Sequence, residues 1–203
     1  FARFVGGFGG GEPTSAGIVY QDKNARIDSC CSAMGALALY NAWEGITRFN
    51  KGIATVNLLL NRASPWLDMD SYLPYEGRVV FHNKKASTLM IRLPYWMDKA
   101  KIKTTVAGKP VQGVISGNYL VLSDLKKDSV IQMEFPVPTW TAKYSLSEKP
   151  YTLTFRGSTI VDIQPKKVEP RLFPLYQREE MKKDKVRLKK VQRFLAEKEI
   201  GMD

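Results

Sequence analysis

The sequence contains two cysteines, Cys30 and Cys31, side by side in the stretch RIDSCCSAMGALALYNAWEGI. Adjacent residues can close only a strained vicinal ring, so a structural disulfide is not expected. Packing, catalysis and metal binding remain. With Asp28 or Ser29 as a helix cap, both thiols fall in the first turn, where unpaired N–H groups and the positive end of the helix dipole favour thiolate. A thiolate is a nucleophile and a metal ligand at neutral pH. A free cysteine also packs as a small apolar group in helix interfaces, and that is its commoner use. Two cysteines are not a zinc site, because structural zinc takes four ligands, usually in CxxC or HxxxH spacings, and this sequence has neither.

Carboxylates are the second resource. In SPWLDMDSYLPYEG, Asp68 and Asp70 are two apart, which puts them on one side of an extended segment, with Trp66, Tyr72 and Tyr75 around them. Aromatic faces stack on sugar rings and carboxylates accept hydrogen bonds from hydroxyls, so this cluster is a candidate carbohydrate contact. The plainer alternative is a loop whose acids cap turns and whose aromatics pack on a neighbouring sheet. Tyr95 and Trp96 extend the set of rings open to a carbohydrate-binding reading. The one histidine, His82, lies beside Lys84 and Lys85 in a strand-like run, where it is expected at the surface or an edge. A Ser/His/Asp triad has no other histidine to draw on.

These residues need elements to position them. From Asp28 the pattern is helical: Ala36, Leu39, Tyr40, Trp43 and Ile46 form an apolar stripe, and Ala33, Ala38, Ala42 and Gly45 a small-residue face suited to close packing or self-association in a homo-oligomer. Before it, residues 6–17 are glycine-rich, lack the GK[ST] ending of a phosphate loop, and are expected to be a loop. After Lys51 and Gly52 the periodicity changes to strands. ATVNLLLN, GRVVFH and STLMIRLPYW predict strands, KIKTTVAGKPV a hairpin around Ala107, NYLVLSDLKKDSVIQMEF two strands joined by a charged turn, and YTLTFRGSTIVDI a pair broken at Gly157. Short strands separated by turn signals predict a mainly β protein built on an antiparallel β-sandwich. The expected domains are 1–50 (loop and helix), 51–177 (sandwich) and 178–203 (a basic tail, read as helical from Leu188, Val191 and Leu195, although Val186 and Leu188 also fit a strand).

The chain has 203 residues and a formal charge of +11, enough length for one large or two small domains. Its charge is uneven: residues 1–80 carry seven basic and seven acidic side chains, 81–140 nine and four, 141–203 fifteen and nine. The densest run, QREEMKKDKVRLKKVQRF, mixes signs and has few rings, unlike single-strand binders that interleave aromatics with cations, so nucleic acid is not the expected partner. No apolar run approaches the length of a membrane span. The opening FARFVGGFGGGEP has neither the basic region nor the apolar core of a signal peptide, and the chain is expected to be part of a longer protein. Nothing in the sequence assigns a compartment.

The segments ARFVGGFGG, CCSAMGALALYNAWEGI, VNLLLNRASPWLDMDSYLPYEGRV and STLMIRLPYWM together resemble the β-L-arabinofuranosidase-like glycoside hydrolases of family 127, over residues 2–138 and more weakly through GSTIVDIQP and LFPLYQRE. GNYLVLSDLKKDSVIQMEF also looks like that family's sandwich hairpins. The resemblance implies that the helix is left over from an (α/α)6 barrel, followed by a sandwich. It implies carbohydrate as substrate and zinc as metal, with Cys30 as zinc-bound nucleophile and Cys31 as a second ligand. The family's Glu-x-Cys motif, which supplies further ligands, is not in this sequence, nor is its acid/base glutamate identified here; this chain alone is then expected to be inactive. Ser32, Ala33 and Met34 also replace the proline-bearing sequence that follows the pair in characterised members, which leaves the sugar open.

Overall fold

In the computed structural model, residues 2–4, 7–9, 29–146 and 148–165 are described. The Asp28 cap, most of the glycine-rich loop and the basic tail with its expected helix lie outside these residues. The chain divides into two compact units, Phe1–Ile46 and Thr47–Asp203.

The first unit contains a small hairpin, β1 (Ala2–Phe4) and β2 (Gly7–Gly9), paired antiparallel with Ala2 opposite Gly9. Gly7–Gly9 therefore corrects the expected loop, since backbone pairing across a two-residue link does not require side chains. Helix α1 (Ser29–Glu44) follows, with Cys30 and Cys31 in its first turn as the sequence predicts. It ends with Gly45 N–H donating to Asn41 O at 2.9 Å, and a Cβ on Gly45 would meet that oxygen at 3.1 Å. The predicted apolar stripe is only partly covered, because Leu39 is 75 % exposed whereas Ile46 is buried.

The second unit is built from β3 (Thr47–Asn50), β4 (Ile53–Val56), β5 (Leu67–Ser71), β6 (Arg78–Asn83), β7 (Thr88–Arg92), β8 (Lys103–Val106), β9 (Lys109–Pro110), β10 (Val114–Ser116), β11 (Tyr119–Leu122), β12 (Val130–Glu134), β13 (Thr139–Leu146), β14 (Lys149–Arg156) and β15 (Thr159–Gln164). One five-stranded sheet runs β10-β11-β7-β4-β3, a second β5-β6-β12-β8-β9, and a third, three-stranded, β13-β14-β15. Strand alternation sends Ala54, Val56, Leu89, Ile91, Leu120 and Leu122 to one face of the first sheet, all no more than 3 % exposed. It likewise sends Leu67, Met69, Val79, Phe81, Ile131 and Met133 to one face of the second, all at 0 %. Sheets that each bury an apolar face are stable only when that face is covered, at about 1.5–3 kcal/mol per large side chain buried.

Turn chemistry fixes the register. Lys51 and Gly52 have φ of 46° and 84° between β3 and β4, and Ala107 and Gly108 have φ of 50° and 77° between β8 and β9. Both are two-residue turns with positive φ at each position, the backbone that matches strand twist.

Three expectations need correction. β4 and β7 pair in parallel, so the first sheet is mixed rather than antiparallel. The run ATVNLLLN is a strand only to Val56; beyond it Leu59 is buried while Leu58 and Leu60 are 41 % and 52 % exposed. Finally, β11 and β12 are not a hairpin, because they lie in different sheets. Residues 123–129 carry the chain across: Asp124 and Asp128 take positive φ, and Leu125 donates to Ser87 O at 3.0 Å. Asn83, 2 % exposed, holds the crossing, its Nδ2 donating to Ala86 O and Lys126 O at 2.8 Å each and its Oδ1 accepting from Ala86 N–H at 2.8 Å.

Candidate functional site

The first turn of α1 holds the backbone of both cysteines. Among the described residues no three His, Cys, Asp or Glu side chains come together as a metal-holding group. Two thiols are half of the four donors zinc takes, so the described residues do not fit a complete zinc site. No described helix is long and apolar enough to cross a membrane.

Asp68 and Asp70 share one side of an extended segment, as the spacing predicts. Both carboxylates project from β5 on the face opposite Leu67, Met69 and Ser71. Asp68 Oδ1 takes Lys84 Nζ at 2.7 Å and the Ser64 N–H at 3.1 Å, and Lys84 also donates to Ser64 O at 2.9 Å. His82 stands exposed in β6, an interior strand of its sheet, with Nε2 at 3.1 Å from Asp70 Oδ2. The rings are also engaged: Trp66 stacks on Phe49 with centroids 5.8 Å apart, and the Arg78 guanidinium sits 3.6 Å over the Tyr72 ring while pairing with Glu76 at 3.1 Å. Tyr75 N–H donates to Tyr72 O at 3.0 Å and closes the turn that joins β5 to β6. The carboxylates of this cluster are thus bonded to neighbours from other segments, and they lie in a strand rather than a loop.

The other named pair, Tyr95 and Trp96, sits where β7 leaves the first sheet. Leu93 N–H donates to Asn118 O at 2.8 Å, tying this exit to the β10–β11 turn. Trp96 Nε1 donates to Ser158 Oγ at 2.6 Å in the turn between β14 and β15. Gly157, at φ of 60°, makes that turn fit, because a Cβ there would lie 2.8 Å from the Trp96 ring. Trp140 Nε1 donates to Gly157 O at 3.0 Å and stacks on Phe155 at 4.1 Å, which fixes the turn from its other side. After Met97, Asp98 caps the short 3-10 turn Lys99–Lys101; the hydrogen bond from Lys101, then that from the Ala100 N–H, hold its carboxyl below the ordinary value. Between these elements lies a cavity of about 450 Å³ whose walls include Asn57, Arg92, Tyr95, Trp96, Asn118 and Arg156. The two arginines were missed in the sequence, where nothing links positions so far apart; the neighbouring rings were the only signal.

Residues 55–137 match the family model of the β-L-arabinofuranosidase GH127 middle domain. Among solved structures, the chain is similar to a GH127 β-L-arabinofuranosidase from Geobacillus stearothermophilus T6, with a TM-score of 0.51 and 18% identity over 66% of this chain and 24% of that one. A glycoside hydrolase (TM-score 0.49, 22% identity, 64% of this chain and 24% of that one) and a GH127 β-arabinofuranosidase (TM-score 0.48, 16% identity, 66% and 26%) are similar as well. The chain therefore spans about a quarter of the length of these enzymes. No match was found among curated proteins.

Proposed function

With residues 55–137 carrying a GH127 middle domain, we propose that this chain is a portion of a glycoside hydrolase that cleaves glycosidic bonds in a carbohydrate, through a cysteine nucleophile, Cys30. The observation that carries this reading is the family match over the sandwich, joined to the Cys30–Cys31 pair at the start of α1. A thiolate at a helix start is pre-formed for attack on an anomeric carbon, and Cys31 beside it is suited to share a metal. The remaining donors and the acid that protonates the leaving oxygen come from residues other than those described.

The test is hydrolysis of an aryl β-L-arabinofuranoside by the full-length gene product, wild type and Cys30→Ser. The variant should lose about a thousandfold or more in kcat, the scale of removing a nucleophile. Retained turnover in Cys30→Ser would discard the proposal. The 203-residue chain by itself should show no turnover.

A further inference from the structure

We draw no further inference here: the strongest candidate, the face of the β13–β14–β15 sheet that bears Trp140, Tyr144, Tyr151 and Phe155, carries nothing because nothing among the described residues shows what covers it.

Discussion

In residues 66–78, rings and charges are bound to one another: Trp66 lies on Phe49, Tyr72 beneath Arg78, and Asp68 and Asp70 against Lys84 and His82. At the corner made by residues 93–96 and the β14–β15 turn, Trp96 is anchored in the same way, whereas Tyr95 beside it is 85 % exposed. The side-chain types are alike. What differs is which neighbours the other strands bring to each ring, and this cannot be judged from composition.

Each region is closed by a glycine, and replacing it should break the comparison most sharply. A Cβ at Gly77 would come within 1.7 Å of Phe135 O, and the backbone there is held by Phe135 N–H on Gly77 O at 2.8 Å. Gly77→Ala should cost about 3 kcal/mol or more, since overpacking against backbone has no side chain to move aside. Urea unfolding reads this as a lower midpoint, and a loss under about 1 kcal/mol would mean that the approach is soft. Gly157→Ala meets a ring instead of a peptide, and adds left-handed strain at φ of 60°. Its expected cost is smaller, about 2 kcal/mol, with a change in tryptophan emission because Trp96 must shift. If Gly157→Ala leaves emission and midpoint alone, the β14–β15 turn does not hold Trp96 in place. Smallest is Lys84→Met, which removes a partly exposed pair with Asp68 and should cost about 0.5–1 kcal/mol, less at high salt. A larger loss would show that the first region depends on its charges as well as its rings.

Much of the two five-stranded sheets was legible because alternation is a local property. Leu89 and Ile91 in TLMIR, and Ile131 and Met133 in VIQME, mark strands and their buried face at once. The Ala107–Gly108 turn and the break at Gly157 were also visible, since glycine supplies the backbone those turns need. Thr47–Asn50 gave no such signal: TRFN is short and mostly polar, and it is a strand because the Lys51–Gly52 turn folds it onto β4. The crossing from β11 to β12 was invisible for another reason, as it depends on Asn83, which bonds to Lys126 43 residues away. At the candidate sites, the Asp68–Asp70 spacing was readable, but its partners Lys84 and His82 follow from strand register, and the meeting of Trp96 with Ser158 spans 62 residues. The proposed role of Cys30 rests on the sequence resemblance and the helix start, not on packing.

The parallel pairing of β4 with β7 also bears on how the molecule folds. Ser87 reaches back to Gly52, 35 residues earlier, and the chain between them builds the first two strands of the opposite sheet. The first sheet therefore cannot be completed by local zipping, because closing that loop comes at an entropic cost before any contact of β7 rewards it. The two sheets are interleaved in sequence, so neither can form as an independent kinetic unit. Folding should be slow for the size of the sandwich, and hydrogen exchange in β4, β6, β7 and β12 should report one shared opening reaction in place of separate ones.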